Sequence, residues 1–298
     1  MSLIITSNRS PDTDGTACIL AYSEFLSKSG TENKIHFSDK PDPMGQFLLN
    51  ELKLRAEKQR ISKSDEIILV DASQLGGLPK EIPLENVVEI IDHRKSRELH
   101  LFPNARKVQN EQVGAAATLV AERFFSAGIV PSRISAALLL SAITVNTTNF
   151  SSKVTTGRDR RAASKLRKIA RLPNGFLKRL FKASENFSIP LGKVLSEEFA
   201  GQDDVGIIQI ETADGASFVR RNRSLLSREL PKLFSARGVS IGFLSCLDLE
   251  KKRNVFFAPS AEAREFIKKT IGGAKFSGSA GIRKPPIMRK EIWVLLKN

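Results

Sequence analysis

Two aspartates one residue apart, Asp12 and Asp14, lie in the stretch SPDTDGT, between the apolar run LII and the helix-like segment ACILAYSEFL. Two roles are open to such a pair. Proline, aspartate and glycine favour a turn, and an aspartate there can cap the helix that follows. Carboxylates that converge can instead hold divalent cations and support phosphoryl transfer. The pair alone is compatible with either role.

Two later segments deliver further ligand-type residues at the ends of apolar runs. EIILVDAS ends at Asp71, and VVEIIDHR ends at Asp92 and His93. In an open parallel sheet, ligands bind along the edge formed by the C-terminal ends of the strands. Two carboxylates about 4 Å apart repel by roughly 4 kcal/mol at an effective dielectric near 20. If these side chains meet, a bound metal is therefore the expected reason.

The elements that must position these residues predict an α/β fold in two domains. Apolar runs at residues 2–6, KIHF, EIILVDAS and VVEIIDHR predict strands, and they alternate with periodic segments that predict helices. Those helices are expected at 16–28, MGQFLLNELKLRAEKQR, 114–127, 132–145 and 157–171, the one at 132–145 being internal because it is apolar all round. We predict an N-terminal domain over 1–184 with a parallel sheet and helices on both faces.

A linker is predicted at 185–190, and a smaller C-terminal α/β domain at 191–298. Its expected strands are DVGIIQIETA, GVSIGFLSCLDL and RNVFFAP, and its expected helices are SLLSRELPKLFSAR and SAEAREFIKKTI. No window approaches the roughly 20 apolar residues of a membrane span, and the N-terminus does not read as a signal peptide. Cys18 and Cys246 lie in apolar contexts, which predicts buried thiols and a cytoplasmic protein.

The charge of the chain favours an anionic partner. Its formal net charge is +15, and residues 153–182 carry eleven basic residues against the single acid Asp159. Nucleic acid, anionic lipid and a phosphorylated substrate would all be attracted. The run is equally compatible with a solvated helix face, capped by Thr155, Thr156 or Asp159.

Taken in order, these segments resemble the DHH phosphoesterases, in the branch of the family II inorganic pyrophosphatases, exopolyphosphatases and prune-like proteins. SNRSPDTDG matches the family's GHxNPDxDS, ILVDAS its second aspartate motif, and DHR its DHH. Val113, Gly114 and Thr118 match its VGxxxT, and VNTTNFSSKVTTGRD matches its SDTxxFxSxTxTxxD. GIRKPP is similar to the basic motif of its second domain.

The resemblance implies hydrolysis of a phosphoanhydride bond in pyrophosphate or short polyphosphate, in a cleft between the two domains. Two Mg²⁺ or Mn²⁺ ions would hold a bridging hydroxide as the nucleophile. Asp71 would bridge the ions and Asp92 would orient His93, these three being the implied catalytic residues. The implied metal ligands are Asn8, Asp12, Asp14, Asp71, His93 and Asn146, and the implied phosphate-binding residues are Arg94, Arg283 and Lys284.

Three positions depart from the family pattern. Asn8 and Arg94 stand where the family has histidines, and Asn146 stands where it has an aspartate. An amide oxygen is a harder ligand than imidazole, so Asn8 favours Mg²⁺ over softer metals. An amide is also a weaker donor than a carboxylate, so Asn146 predicts weaker binding of the second ion.

Two other functions remain open at this stage. Other DHH branches cleave oligonucleotides, and the basic run could follow a nucleic-acid backbone. The run has only Phe176 and Phe181 as aromatics for base stacking, so nucleic acid is the second choice of partner. The third hypothesis is a phosphate-binding protein with little turnover. No membrane partner is expected, and no oligomeric state is predicted.

Overall fold

The computed structural model describes residues 2–296, in two compact units. The first unit comprises Met1–Phe150 and Val154–Leu180, and the second comprises Ser151–Lys153 and Phe181–Asn298. The division falls a few residues before the linker predicted at 185–190.

The first unit contains a five-stranded sheet in which all pairs are parallel, with the strand order β2-β1-β3-β4-β5. Apolar residues run almost without interruption through β3 and β4, as is typical of parallel strands buried on both faces. The strands are β1 Leu3–Thr6, β2 Lys34–Ile35, β3 Glu66–Val70, β4 Val87–Asp92 and β5 Lys107–Asn110.

Six helices alternate with and follow these strands. α4 is buried from Ser135 to Val145, which confirms the internal helix predicted from its uniformly apolar sequence. The helices are α1 Thr13–Lys28, α2 Pro43–Glu51, α3 Ala116–Ser126, α4 Arg133–Asn146, α5 Gly157–Ala170 and α6 Phe176–Ala183.

Two predicted elements are shorter than expected. The strand predicted over KIHF is limited to Lys34–Ile35. α2 ends at Glu51, and Lys53 adopts a left-handed backbone with φ of 56°. Beyond it the predicted helix would offer mainly charged residues and no apolar face to bury, so helical packing has nothing to gain there.

The second unit contains a six-stranded mixed sheet, β10-β11-β9-β8-β7-β6, in which only the β7–β8 pair is parallel among the described strands. The three predicted strands form its centre. They are β7 Val205–Thr212, β8 Ile241–Asp248 and β9 Arg253–Phe257, and the flanking strands are β6 Phe199–Gln202, β10 Ala274–Ser277 and β11 Ala280–Arg283.

Alternate residues of this second sheet enter two hydrophobic clusters, one containing Ile208 and Leu244 and the other Ile207 and Phe243. Helices α8 and α9 contribute to the first cluster, and α10 and α11 to the second, so helices cover both faces. The helices are α7 Leu191–Glu197, α8 Gly215–Arg221, α9 Arg223–Ala236, α10 Ala261–Phe266 and α11 Arg289–Leu295.

The predicted two-part α/β architecture is confirmed. Cys18 and Cys246 are buried free thiols, as predicted. Across residues 2–296, no helix combines the length and the apolar character that crossing a bilayer requires.

Candidate metal centre

Three buried side chains converge at the C-terminal edge of the first sheet. One ligand atom from each of Asp14, Asp71 and His93 lies within 4.8 Å of the others. Asp14 lies in the first turn of α1, Asp71 directly follows β3, and His93 directly follows β4. The structure thus brings together Asp14, Asp71 and His93, three of the residues that were expected to meet at this edge.

Asp12 performs the turn role that its sequence context allows. It is the N-cap of α1, and its Oδ1 accepts hydrogen bonds from the backbone N–H groups of Asp14 at 2.8 Å and Gly15 at 3.0 Å. Such a cap satisfies N–H groups that have no partner within the helix. Its Oδ2 is not part of this cap, so Asp12 remains able to contact a cation or Arg94.

Asp14 is held from three sides. The first two N–H groups of α3 donate to it, Ala116 to Oδ2 at 2.7 Å and Ala117 to Oδ1 at 2.9 Å. Asn146, the last residue of α4, donates its Nδ2 to Oδ2 at 2.8 Å. Burial and Asp12 raise the pKa of Asp14, while His93 and the two α3 N–H groups lower it, with a net increase. Three elements therefore fix the position of this carboxylate.

Asp71 has a strained backbone and a carboxylate without hydrogen bonds. Its φ is 53°, in the left-handed region that, glycine apart, is adopted mainly by asparagine, aspartate and histidine. Both carboxylate oxygens are buried and neither has a hydrogen-bond partner among the described residues. Burial, together with Asp12 and Asp14, raises the pKa of Asp71 to about 8. A buried carboxylate in this state needs a cation to ionise fully.

His93 is oriented so that one ring nitrogen faces the carboxylates. Its Nδ1 lies 3.0 Å from the backbone oxygen of Val113, and its Nε2 lies 3.4 Å from Asp71 Oδ1. In the neutral ring, Nδ1–H donating to Val113 leaves Nε2 with a free lone pair. Burial lowers the pKa of His93, but Asp71 and Asp14 outweigh burial and raise it to about 9.

The structure does not show the contact by which Asp92 was predicted to orient His93. Asp92 accepts hydrogen bonds from the Ser73 hydroxyl and from the backbone N–H of Arg94, while Val113 orients the imidazole. A carbonyl oxygen serves the same purpose as a carboxylate, since it fixes the tautomer. Asp92 instead holds the turn that carries His93 and Arg94.

Arg94 lies beside the carboxylates and remains partly open to solvent. Its Nη2 is 3.5 Å from Asp71 Oδ1 and 3.8 Å from Asp12 Oδ2. The side chain is 44% exposed, and the Asp12 side chain is 45% exposed. A guanidinium carries five N–H donors, so these two contacts leave donors available for a phosphate group.

The two asparagines predicted as metal ligands take a different part in this arrangement. Asn8 donates its Nδ2 to the Asp71 backbone oxygen at 2.9 Å, and a Cβ at Gly77 would clash with its Oδ1. Asn146 donates to Asp14. In both cases the amide nitrogen donates to an acceptor in the cluster, and the metal-ligand role of each amide oxygen stays a prediction.

Asp159 is a buried residue of the centre whose importance the sequence only partly indicated. It forms a capping box with Thr156 at the start of α5, where the sequence predicted a helix cap from Thr155, Thr156 or Asp159. It also accepts from the Gly114 N–H at 3.0 Å and from the Thr118 hydroxyl at 2.6 Å. Gly114 lies two residues before the start of α3, whose first N–H groups hold Asp14. Asp159 therefore holds the start of α3 in place, and α3 in turn holds Asp14.

The two basic residues predicted to bind phosphate belong to the second unit. Arg283 ends β11 and donates to the backbone oxygens of Gly272, at 3.0 Å, and Pro285. Lys284 follows it and is exposed. Their part in substrate binding stays a prediction.

The residues present fit a hard divalent cation. The centre offers carboxylate and imidazole donors, and three buried atoms, Asp71 Oδ1, Asp71 Oδ2 and His93 Nε2, have no hydrogen-bond partner among residues 2–296. Once Asp71 is ionised, Asp12, Asp14 and Asp71 would bring three negative charges, of which Arg94 offsets one. Mg²⁺ and Mn²⁺ favour such oxygen-rich sets, and Mn²⁺ also accepts imidazole.

Comparison with known proteins agrees with this geometry. Residues 2–143 match the model of the DHH family, N-terminal domain. A probable manganese-dependent inorganic pyrophosphatase of Clostridium acetobutylicum is 30% identical over 243 residues, covering 76% of this chain and 75% of the relative. A manganese-dependent inorganic pyrophosphatase of Methanothrix thermoacetophila is 25% identical over 307 residues, covering 97% and 95% of the two chains.

A solved structure shows the same fold over the full length. It is a Methanococcus jannaschii protein assigned to the family II inorganic pyrophosphatases, with a TM-score of 0.67 at 23% identity, covering 99% of this chain and 100% of the other. The chain therefore belongs to the DHH family of phosphoesterases, in the branch of the family II inorganic pyrophosphatases.

Proposed function

We propose that this protein is a metal-dependent hydrolase of phosphoanhydride bonds, acting on pyrophosphate or a short polyphosphate. The observation that carries the proposal is the buried cluster of Asp14, Asp71 and His93, with unpartnered donor atoms on Asp71 and His93. The manganese-dependent pyrophosphatases among its relatives support the choice of reaction. We place the enzyme in the cytoplasm as part of the same proposal.

The proposed cofactor is a pair of Mg²⁺ or Mn²⁺ ions. Asp71 would be shared between them, with Asp14 and His93 on one ion and Asp12 on the other. When bound, such ions offset the negative charge of the phosphate oxygens and make water a better nucleophile near neutral pH. Ligand binding of this kind requires His93 in its neutral form, with the proton on Nδ1, and the Val113 carbonyl favours that tautomer.

The proposed roles of Asp14 and Arg94 rest on the hydrogen bonds and charges around them. The α3 N–H groups and Asn146 prevent Asp14 from rotating, so its position does not depend on the ions. Arg94 is the exposed cation next to Asp71 and Asp12. We propose that its free N–H groups bind phosphate oxygens of the substrate, since a planar guanidinium suits that geometry.

The test, with Mg²⁺ or Mn²⁺, measures phosphate release from pyrophosphate and tripolyphosphate and formation of nucleoside monophosphate from a dinucleotide. Asp71→Asn is expected to reduce release from the phosphoanhydrides at least a thousandfold. The matched control is Asp203→Asn, an exposed aspartate of the second unit that also has a positive φ, of 52°. Circular dichroism checks that both variants fold.

Either of two results would contradict the proposal and indicate another function. Cleavage of the dinucleotide alone would assign the protein to the oligonucleotide phosphodiesterases, which the exposed basic residues of α5 would then serve. Absence of metal-dependent release from all three substrates, with phosphate binding retained, would identify a phosphate-binding protein of low turnover.

A further inference from the structure

The second unit contains a groove distant in sequence from every residue of the metal centre. It lies on the face of the sheet that α8 and α9 cover, beside strands β9, β10 and β11, and has a volume of about 350 Å³. We call it the β10–β11 groove. It is lined by Ala216, Val219, Arg220, Arg223, Val255, Phe257, Lys275, Phe276, Ser277, Ala280 and Ile282.

The floor of the β10–β11 groove is apolar because of strand register. Ile282 pairs with Val255 and Ala280 pairs with Phe257 across β11 and β9, so their side chains share one face. Val219 of α8 packs in the same hydrophobic cluster as Val255 and Phe257. Ile282 remains 39% exposed. Val219, Val255 and Phe257 are themselves buried, so Ile282 is the most exposed of these side chains and extends the core to the surface.

Three cations surround this floor. Arg220 lies in the last turn of α8, Arg223 begins α9, and Lys275 lies on β10 directly opposite Ile282. All three are exposed. The Arg223 guanidinium reaches the β10–β11 turn, where a Cβ at Gly278 would lie 3.8 Å from Nη2.

These cations have no acidic partner. Across the described part of the chain none of the three forms an ion pair, and Arg220 has only the Ser217 hydroxyl, at 3.1 Å. No carboxylate lines the groove. Ion pairing elsewhere in this unit is frequent, as for Arg221 with Glu185 and Lys251 with Asp214. The positive charge around the floor is therefore uncompensated.

We propose that the β10–β11 groove binds a small organic anion that joins an apolar body to a phosphate or carboxylate group. Its volume is in the range of small-molecule sites, which are mainly apolar with a few polar groups that fix orientation. The apolar body lies over Ile282, next to the buried Val255 and Val219, and the anionic group lies between Arg220, Arg223 and Lys275. Inorganic phosphate lacks the apolar body and binds far more weakly than such a ligand.

Binding is measured with the fluorescence of 8-anilinonaphthalene-1-sulfonate, which combines an aromatic body with an anionic group. The native protein is expected to bind it saturably with one site. Arg220→Glu combined with Arg223→Glu should weaken binding at least tenfold. Ile282→Glu, a change on the floor alone, should weaken it similarly. The matched control, Lys232→Glu with Lys252→Glu, makes the same charge change at two exposed lysines of the unit outside the groove.

Competition then distinguishes the source of the anion. AMP provides a phosphate with an apolar base, and decanoate provides a carboxylate with an alkyl chain. At least one is expected to displace the dye from the native protein but not from the Arg220 and Arg223 double variant. Pyrophosphate hydrolysis should stay within twofold of native in that variant, so failure of this proposal is distinguishable from failure of the proposed function.

Three outcomes would overturn the proposal. Equal weakening in the lysine control would attribute dye binding to net charge. Displacement by inorganic phosphate at the same concentration as AMP and decanoate would make the apolar floor irrelevant. Displacement by neither organic anion would exclude this class of ligand.

Discussion

The side-chain amide of Asn146 donates a 2.8 Å hydrogen bond to Asp14 Oδ2, linking the end of α4 to the first turn of α1. Asn146 thereby stabilises a buried negative charge before any metal binds. A carboxylate at the same place would repel Asp14 instead. The residue that departs most from the family pattern thus favours the metal-free protein.

Asn146→Asp is therefore expected to lower the stability of the metal-free protein and to raise its affinity for Mn²⁺. Without metal, the new carboxylate should lower the unfolding free energy by about 2–4 kcal/mol, since a part-buried negative charge then faces the buried Asp14. With saturating Mn²⁺ the loss should disappear, and the Mn²⁺ dissociation constant should fall at least tenfold. Thermal unfolding with EDTA and with Mn²⁺ measures both. Asn186→Asp, at an exposed position of the second unit, should change neither.

Asp71→Asn should have the opposite effects: a more stable metal-free protein and a loss of Mn²⁺ binding. Because burial raises the pKa of Asp71 to about 8, its ionisation opposes folding of the metal-free chain, and stability falls as pH rises towards 8. Removing the charge should raise the unfolding free energy in EDTA at pH 8 by about 1–2 kcal/mol. The same variant should lose the Mn²⁺-induced increase in melting temperature. A native-like Mn²⁺ shift would show that Asp71 is not a ligand.

Asp159→Ala tests the support behind the metal centre. The substitution removes the acceptor for the Gly114 N–H, the Thr118 hydroxyl and the Thr156 N–H, all at 2.6–3.0 Å. Leaving several buried donors unpaired should cost about 3–5 kcal/mol of unfolding free energy. Thr156→Ala removes only part of the helix cap and should cost about 1 kcal/mol. Similar losses from the two variants, measured by urea unfolding, would assign Asp159 a capping role alone.

Glu24 provides a prediction on pH. Burial would raise its pKa, but hydrogen bonds from the Ser132 N–H at 2.6 Å and the Ser135 hydroxyl at 2.6 Å outweigh burial and hold it below 4.5. The stabilisation is thus present above about pH 4.5 and is lost as pH falls through the lower folded value. Glu24→Gln should lower the unfolding free energy by about 1–2 kcal/mol at pH 7. The deficit should shrink below pH 4.5, and a constant deficit would contradict the assignment.

The sequence predicted the parts of this molecule that depend on buried apolar runs. Strands β3 and β4 were predicted from their apolar runs. Asp71, just after β3, and Asp92, the last residue of β4, were therefore expected at the edge of the sheet. The internal helix α4 was predicted from the same kind of pattern. These features are set by burial, which the sequence displays directly.

Other parts depend on partners that a sequence does not display. The carbonyl of Val113 orients His93, and every residue has a carbonyl. The amide nitrogens of Asn8 and Asn146 donate to Asp71 and Asp14, contacts that only the folded surroundings determine. Strands β10 and β11 are four residues each, too short for a clear period, so the groove beside them was not predicted.

The left-handed backbone of Asp71 restricts which amino acids can occupy this position, independently of metal chemistry. Asparagine and glycine adopt that conformation at little cost, whereas glutamate and β-branched residues are strained in it. A single nucleotide change from aspartate to asparagine or glycine would therefore leave a well-folded chain without the carboxylate. Glutamate would keep the charge but combine a strained backbone with a longer side chain. In a saturation library, the variants that fold best at position 71 should be among those that have lost the ligand.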